Sequence, residues 1–431
     1  MSRTPNILLV LVDDMGYSDI GCYGGEIETP TLDRLAANGV RYARFYNCAQ
    51  CSPTRASLMT GLYPHQAGMG EMNARGPGDP FYHYLGSPQY LGFKQEGIVT
   101  MPEALRAAGY QTLMSGKWHL GDTPDNWPSV RGFDRTFSLI IGASEHFSGR
   151  PAWKNEGPIA PFILDGKRLE SLPEGFYSTD TFTDYAMRFI RESKAGKPWF
   201  CYLSYTAPHW PLQAHEKDAA KYDAVYRQHP ETLRRRRFQR MKALGLVPEA
   251  AALPPLDPDI TADGIEKNRE WRDRSMRHYA GMIDCVDRNL GRLVALLEER
   301  GELTNTLILF LSDNGADTVR GPLWGQLDNA PFRRFKVWVH DGGICTPLIA
   351  HWPAAISPEQ RGRIIGGYGH VIDLQPTCLD AAGAAQPEAY NGRPVAPLEG
   401  ISLLPSMRGV AELLIRNRFS GGADTRPPRP A

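Results

Sequence analysis

The sequence shows no excess charge of either sign, because 48 lysines and arginines stand against 48 aspartates and glutamates in 431 residues. A balance of this kind removes the general electrostatic argument for binding nucleic acid or an anionic membrane. The chain also lacks an apolar run near the roughly 18 residues that cross a bilayer. Its first apolar segment is short and leads directly into Asp13 and Asp14, without the small-residue cleavage site of a signal peptide. We therefore expect a cytoplasmic protein that binds neither nucleic acid nor a membrane.

Cysteine is scarce, with seven residues at scattered positions. An odd number without regular spacing does not form a disulfide framework, so we expect most of these thiols to be buried and reduced. Cys48 and Cys51 form a C-x-x-C pair, but it lacks both the spacing of a zinc site and a thioredoxin context. Glycine and proline together are too few for a low-complexity chain. Length and apolar content fit two or three domains, or one large α/β domain with insertions.

What the sequence does contain is a repeated pattern of buried strand, turn and amphipathic helix. Residues 6–12, 199–205 and 306–312 are almost continuously apolar, which is typical of central parallel strands. Ligands of open α/β sheets bind at the carboxyl ends of the strands, so we expect the polar side chains that follow these segments to converge there. Those side chains are Asp13, Asp14, His209, Asp313 and Asn314.

Three carboxylates at neighbouring strand ends would repel one another unless a cation lies between them. The oxygens of Asp13, Asp14, Asp313 and Asn314 are hard ligands, which suit Ca²⁺ or Mg²⁺ better than zinc. Taken singly, an aspartate pair after a strand is more often a turn or a helix cap. Because two such pairs follow two predicted strands, the pattern indicates a divalent-cation site.

A helix is predicted to begin near Cys51, because proline and hydroxyl residues at 52–54 precede an apolar run. The N-terminus of a helix stabilises negative charge, so we expect a thiol at this position to have a lowered pKa. Arg55 lies about one turn further along. Cys51 is therefore a candidate reactive thiol, and a buried, inert cysteine is the equally weighted alternative.

Basic side chains in three further segments complete the candidate site. Lys117 and His119 stand two apart in a segment predicted to be extended, where both would project to the same side. Taken alone, they are as readily a lysine with a buried stem beside a structural histidine. Together with Arg55, His209 and Lys336, they could neutralise a tetrahedral oxyanion ester that faces a hard metal ion.

Two other segments have alternative interpretations. Residues 231–242 contain four consecutive arginines, which we interpret as a solvated helical face rather than a phosphate-binding patch, since the net charge is zero. Residues 79–93 are rich in aromatic side chains. They form either a lid that stacks on an aryl or sugar leaving group or a packed surface loop.

Several of these segments match the signatures of one enzyme family. Residues 51–55 (CSPTR) resemble the C-x-P-x-R signature of the type I sulfatases, and residues 109–119 resemble the second signature of that family. The other candidate site residues also occur in the order typical of this family: Asp13, Asp14, His209, Asp313, Asn314 and Lys336. Residues 24–27 and 208–213 are similar to the arylsulfatase branch of the family. The resemblance covers residues 6–405. It implies an α/β fold of the alkaline phosphatase type, with a large, mixed, mostly parallel sheet sandwiched by helices.

In type I sulfatases the signature cysteine is oxidised to formylglycine, an aldehyde whose hydrate provides the nucleophile. The resemblance therefore implies that a maturation enzyme converts Cys51, and that the protein hydrolyses small-molecule sulfate monoesters and releases inorganic sulfate. One hydrate oxygen can attack sulfur, and the other can expel sulfate by re-forming the aldehyde. The implied ligands of the cation, Ca²⁺ or Mg²⁺, are Asp13, Asp14, Cys51, Asp313 and Asn314. The implied catalytic residues are Cys51, Arg55, Lys117, His119, His209 and Lys336.

The resemblance also implies a role for each of these side chains. Asp313 would take the proton of the attacking oxygen, while Arg55 and His119 would hold the nucleophile, with His119 accepting the second proton. The implied sulfate ligands are Lys117, His209 and Lys336. Either His209 or Lys336 would act as the acid for the leaving oxygen.

Family members continue past the equivalent of Pro405 into a small sheet domain, which residues 406–431 are too few to build. We therefore expect a catalytic domain over residues 1–385 and a truncated remnant over residues 386–431 with a disordered tail. Two alternative functions stay open. One is hydrolysis of a phosphonate monoester or phosphodiester on the same scaffold, and the other is an unconverted, inactive chain that only binds metal and anions.

Overall fold

The fold is built on one ten-stranded sheet, seen in a computed structural model that describes residues 4–72, 87–94, 96–154, 156–260 and 269–410. The strands are β1 Asn6–Val12, β2 Val40–Tyr46, β3 Gln111–Lys117, β4 Arg135–Leu139, β5 Phe162–Leu164, β6 Lys167–Arg168, β7 Trp199–Ser204, β8 Thr306–Ser312, β9 Cys345–His351 and β10 Ile364–His370, and the hairpin strands β11 Ala389–Tyr390 and β12 Arg393–Pro394 form a separate small sheet. The spatial order of the large sheet is β10-β2-β9-β8-β1-β7-β3-β4-β5-β6. Strands β8, β1, β7, β3 and β4 run parallel, whereas β9 is antiparallel to both of its neighbours. The predicted mixed, mostly parallel sheet is confirmed.

The three segments predicted to be central strands are β1, β7 and β8. Strand β1 lies between the other two and is buried on both faces, which explains its continuously apolar sequence. The register sets Leu11 beside Ser204 of β7 and Val12 beside Ser312 of β8. Because all three strands are parallel, the residues that follow them meet at one edge of the sheet.

Helices cover both faces of the sheet. Alternate residues of β1 enter two different cores: Leu8 and Val10 pack on one face, and Leu9 and Leu11 pack on the other. The first core includes the long helix Arg269–Glu299, whose buried apolar residues recur at helical spacing. Among the described residues the helices are Pro30–Ala37, Cys51–Thr60, Met101–Ala107, Ser178–Arg191, Glu216–Ala219, Asp223–Tyr226, Pro230–Leu244, Arg269–Glu299, Pro322–Asp328, Asp341–Ile344, Leu374–Ala382 and Leu404–Met407.

The helix Cys51–Thr60 is buried along its whole length. It begins at Cys51, directly after the extended backbone of Gln50, and ends at Gly61, whose left-handed φ of 63° closes the last turn. The predicted helix start at Cys51 is therefore confirmed. A helix buried on all sides holds its first residue in one place, which matters for the chemistry of the Cys51 side chain.

The arginine-rich helix Pro230–Leu244 differs from the prediction. Arg235 and Arg236 are exposed as expected, but Arg234 and Arg237 are buried. The guanidinium of Arg237 lies 2.7 Å from a carboxylate oxygen of Asp19 and 2.7 Å from one of Glu26. The interpretation of the whole run as a solvated face is wrong for these two residues. Acidic partners from remote segments neutralise Arg237 inside the protein, whereas Arg234 pairs with Glu231 of its own helix and donates to the carbonyl of Pro254.

The predictions for the C-terminal part and for the aromatic segment stay predictions. The hairpin β11–β12 and the helix Leu404–Met407 follow the large sheet, and the buried Leu404 and Met407 belong to the second core. Residues 411–431 lie outside the described residues, as do positions 79–86 of the aromatic segment. Within the described ranges, no helix combines the length and the apolar character that crossing a bilayer requires.

Candidate active site

The carboxyl ends of β1 and β8 bring four predicted site residues together. Asp13 and Asp14 follow β1, Asp313 and Asn314 follow β8, and all four are buried. Asp313 donates its backbone N–H to the carbonyl of Val12 at 3.0 Å, which extends the pairing of the two strands by one residue. Asp14 has a left-handed φ of 65° and donates its N–H to Oδ1 of Asp313 at 3.2 Å. The chain thus turns sharply after β1, and the turn brings the backbone of Asp14 to the carboxylate of Asp313.

The thiol of Cys51 lies in this acidic cluster. Its Sγ is 3.3 Å from Oδ1 of Asp13 and 3.9 Å from Oδ1 of Asp14. Potential ligand atoms of Cys51, Asp13, Asp14 and His209 all lie within 4.8 Å of one another. The cluster has the dimensions of a metal site, and three of its members belong to the predicted ligand set.

The side chain of Asn314 indicates whether the cluster is suited to bind a cation. Its side-chain amide donates to Oδ1 of Asp14 at 2.7 Å and to the carbonyl of Gly315 at 3.0 Å. In the part of the chain that the structure describes, the buried Oδ1 of Asn314 accepts no hydrogen bond. A buried oxygen without a donor is costly unless another positive group satisfies it. With the carboxylates beside it, this oxygen fits a hard divalent ion.

Three buried or nearly buried cations surround the acidic cluster. The guanidinium of Arg55 donates to Oδ2 of Asp313 at 2.8 and 3.2 Å. The ammonium group of Lys117 lies 2.7 Å from Oδ2 of Asp13. Lys336 contacts both carboxylate oxygens of Asp14, at 2.7 and 2.8 Å.

His119 reaches the site in a way that the sequence did not indicate. Strand β3 ends at Lys117, and His119 adopts a left-handed φ of 57°, so the prediction of one extended segment is wrong at this residue. Its ring packs against Gly142, where an added Cβ would lie 2.7 Å from the imidazole. Burial, followed by the charges of Lys117 and Arg55, holds the pKa of His119 well below its usual value. His119 is therefore a neutral base beside the cations.

His209 and Lys336 define the side on which the site opens. The side chains of Asp13, Arg55 and Lys117 are fully buried, whereas Lys336 and His209 are 15% and 18% exposed. Nε2 of His209 lies 3.6 Å from Oδ2 of Asp14, and its Nδ1 donates to the carbonyl of Trp210 at 2.6 Å. Burial lowers the pKa of His209 to about 4, although the Asp14 carboxylate acts in the opposite direction.

The electrostatics contradict the lowered pKa predicted for Cys51 and favour the equally weighted alternative, a buried and inert cysteine. Burial, together with the Asp313 carboxylate, raises the pKa of Cys51 well above its usual value. The favourable helix N-terminus does not compensate, because desolvation of a thiolate in a fully buried position outweighs it. The same burial, with the charge of Asp13, raises the pKa of Asp313 to about 6. In the protein without a cation, burial thus disfavours the thiolate of Cys51 and the carboxylate form of Asp313.

Two contacts that hold Arg55 were not predicted. The hydroxyl of Ser204, at the end of β7, accepts a hydrogen bond from Arg55 at 2.6 Å, and the carbonyl of Lys117 accepts another at 3.1 Å. A serine at the end of an otherwise apolar strand is only weak evidence for a site residue. It becomes informative once its contact with Arg55 is known.

The comparison with known proteins agrees with this arrangement. The model of the family described as Sulfatase matches residues 5–384. The chain belongs to the sulfatase family. It is 36% identical to an uncharacterized sulfatase of Schizosaccharomyces pombe, over 91% of this chain and 78% of that protein. It is 32% identical to an arylsulfatase of Klebsiella aerogenes, over 93% of this chain and 91% of that protein.

Solved structures give the same result. The crystal structure of Ps i-CgsB in complex with k-i-k-neocarrahexaose is 28% identical, with a TM-score of 0.69 over 95% of this chain and 77% of that one. The phosphonate monoester hydrolase of Agrobacterium radiobacter is 22% identical with a TM-score of 0.55, over 94% and 77% of the two chains, which is a likeness of fold alone. The predicted family and fold are confirmed, and this sulfatase is a hydrolase of sulfuric esters.

The sulfatase fold brings the predicted site residues to one place. Asp13, Asp14, Cys51, Arg55, Lys117, His209, Asp313, Asn314 and Lys336 are linked by the contacts described above. His119 lies close enough for the charges of Lys117 and Arg55 to affect its pKa. The individual role of each residue stays a prediction.

Proposed function

We propose that this sulfatase hydrolyses sulfate monoesters, R–O–SO₃⁻, with formylglycine made from Cys51 and with a divalent cation, Ca²⁺ or Mg²⁺, as its cofactors. The observation that carries the proposal is the position of Cys51. Its side chain is the first of a fully buried helix, lies 3.3 Å from Asp13, and is close enough to Lys117 and Lys336 for their charges to act on the thiol. A thiol with a raised pKa would be a poor nucleophile here, so a reactive group made from it by oxidation suits the site better.

The charge of the site supports an anionic substrate. The carboxylates of Asp13, Asp14 and Asp313 are balanced by Arg55, Lys117 and Lys336. A bound dication would leave the cluster positive, and a sulfate ester carries one negative charge. Attraction between the two is strong in a buried site, where the effective dielectric constant is low.

The protein's own side chains can hold the substrate and move protons. When present, the oxidised residue 51 would supply the oxygen nucleophile, and the cation would polarise the sulfate. Asp313 would accept the proton of the attacking oxygen. Neutral His119 would accept the second proton, and Arg55 keeps Asp313 in place by two hydrogen bonds.

The direction of the leaving group is inferred from the exposed side of the site. Lys336 and His209 are the site residues that reach solvent, so the organic part of the ester would leave past them. Lys336 can stabilise the negative charge that develops on the leaving oxygen by proton donation or by a charged hydrogen bond. His209 can do so only when its ring is protonated, because the neutral ring uses its Nδ1 proton in the bond to Trp210. Lys117, at the buried end, would contact a sulfate oxygen.

Sulfate release by matured protein tests the proposal. The chain is produced together with a formylglycine-generating enzyme, and hydrolysis of an aryl sulfate is compared with hydrolysis of the phosphodiester and the phosphonate monoester of the same phenol. We expect the sulfate ester to be the best substrate and Cys51→Ala to abolish its hydrolysis. Cys48→Ala is the matched control, because Cys48 lies three residues away with its Sγ beside Ser57. Faster cleavage of either phosphorus ester, or full activity of Cys51→Ala, would contradict the proposal.

A further inference from the structure

His146 is a buried histidine next to the site, and no sequence motif predicts a role for it. It follows β4 in the chain, is 1% exposed, and both ring nitrogens have partners. Nε2 lies 3.1 Å from the carbonyl oxygen of His209. Nδ1 lies 2.7 Å from the hydroxyl of Ser178.

These two contacts fix the protonation of the His146 ring. A carbonyl oxygen can only accept a hydrogen bond, so Nε2 must carry the proton that it donates to His209. Nδ1 is then the acceptor of the Ser178 hydroxyl, whose oxygen in turn accepts from Thr206 at 3.2 Å. Burial also keeps the ring neutral, because it lowers the pKa of His146 to about 4. One tautomer therefore satisfies every partner.

The network holds both ends of the turn that carries His209. Thr206 is bound through Ser178, and the carbonyl of His209 is bound by His146. Within the turn, His209 donates its own N–H to the carbonyl of Thr206 at 2.9 Å. With the main chain fixed, the bond from Nδ1 of His209 to Trp210 directs Nε2 towards the site.

His146 is itself rigidly placed. Its backbone N–H donates to the side chain of Gln213 at 2.7 Å, and its carbonyl accepts from the backbone of Ser178 at 2.8 Å. Ser178 is the first residue of the helix Ser178–Arg191, which packs against the long helix Arg269–Glu299. The network thus connects the His209 turn to the helical layer of the domain.

We propose that His146 is a positioning residue for His209, which it holds through the hydrogen bond from Nε2 to the His209 carbonyl. The inference rests on the proposed function, in which His209 lies on the leaving-group side. A histidine displaced by about 1 Å loses much of its effect on a leaving oxygen. Loss of His146 should therefore harm esters of poor leaving groups more than esters of good ones.

A series of aryl sulfates with leaving groups of different acidity tests this proposal. For His146→Leu we expect kcat/KM for a poor leaving group to fall by about 10- to 100-fold, and that for 4-nitrophenyl sulfate by less than about threefold, since a good leaving group needs little help from an acid. His146→Gln retains an N–H donor at the position of Nε2 and should therefore keep most of the wild-type kcat/KM for the poor leaving group. His351→Leu is the matched control and should not show this selective loss. His351 is also buried, but it lies beside Ile308, at the end of β9 that is remote from the site.

A double variant separates positioning from general destabilisation. If His146 acts through His209, His146→Leu combined with His209→Asn should be no slower than His209→Asn alone. Losses that multiply, equal losses for all leaving groups, or the same selective loss in His351→Leu would overturn the inference. Wild-type protein with oxidised Cys51 that releases no sulfate would instead overturn the proposed function itself, so the two failures are distinguishable.

Discussion

Removal of the divalent cation should destabilise the protein in a pH-dependent manner, and Asp313 determines how. Its pKa in the folded, cation-free protein is raised from 3.8 to about 6, first by burial and then by Asp13. The shift of about two units corresponds to about 3 kcal/mol for keeping this carboxylate charged. A bound cation relieves that cost, because it neutralises the carboxylate cluster directly.

The sign of the pH dependence follows from the direction of the shift. Without cation, the folded pKa of Asp313 exceeds its unfolded value, so its stabilising contribution is complete below pH 3.8 and is lost as the pH rises through about 6. The cation binds only the deprotonated form, so its affinity falls by about tenfold between pH 7.5 and pH 5. Asp14 does not contribute in this range. Although burial acts to raise its pKa, Lys336 and His209 lower it below the usual value, and its contribution is lost only in stronger acid.

Thermal unfolding with Ca²⁺ and with a chelator, at about pH 7.5 and about pH 5, measures this effect. At a cation concentration of about 100 times Kd at the higher pH, binding stabilises the protein by about 2.7 kcal/mol, and at the lower pH by about 1.4 kcal/mol. For a chain of 431 residues this amounts to Tm shifts of roughly 3 °C and roughly 1.5 °C.

Two variants serve as controls for this experiment. For Asp313→Asn, the difference in Tm between Ca²⁺ and chelator should be small and should be the same at both pH values. Asp287→Asn should behave like the wild type, because burial raises the pKa of Asp287 to about 6 as well, yet its carboxylate accepts the backbone N–H groups of Thr31 and Leu32, away from the site. A Tm that chelation does not change at pH 7.5, or equal shifts at both pH values, would refute the reasoning.

Three further predictions concern the buried charges and the nucleophile. Cys51→Ala should abolish turnover while the free energy of unfolding, measured in urea, changes by less than about 1 kcal/mol; a large loss of stability would instead indicate a structural thiol. Arg55→Leu leaves the Asp313 carboxylate buried without its partner and should lower the free energy of unfolding by about 3–5 kcal/mol, and a change near zero would mean that other groups replace the guanidinium. Arg237→Met should cost a similar 3–5 kcal/mol, whereas the exposed Arg235→Ala should stay within about 0.5 kcal/mol; equal effects would restore the interpretation of this helix as a solvated face.

The central strands and the approach of the aspartates could be predicted because their signals are local. Strand β1 is apolar after Asn6, since neighbouring strands pair with both of its edges and helices cover both of its faces. In a parallel arrangement, the residues after β1 and β8 must meet at one edge, so Asp13 and Asp313 could be placed together without any structure. The start of the helix at Cys51 is likewise encoded in the residues next to it.

What could not be predicted depends on packing between remote segments. The pKa of Cys51 rises because the whole helix is buried, whereas the sequence shows only the local helix N-terminus. Arg237 is buried because Asp19 and Glu26, more than two hundred residues away, neutralise it. The bond between His146 and His209 depends on how two loops lie against each other, and nothing in the spacing of these residues indicates it.

The mass of the tryptic peptide that contains residue 51 tests the central claim most directly. Cleavage after Arg44 and Arg55 releases residues 45–55, which contain Cys48 as well as Cys51. In active protein we predict a peptide in which Cys48 can be alkylated and residue 51 carries an aldehyde, with a turnover rate proportional to the converted fraction. Full sulfatase activity in protein whose Cys51 is entirely an alkylatable thiol would contradict the account.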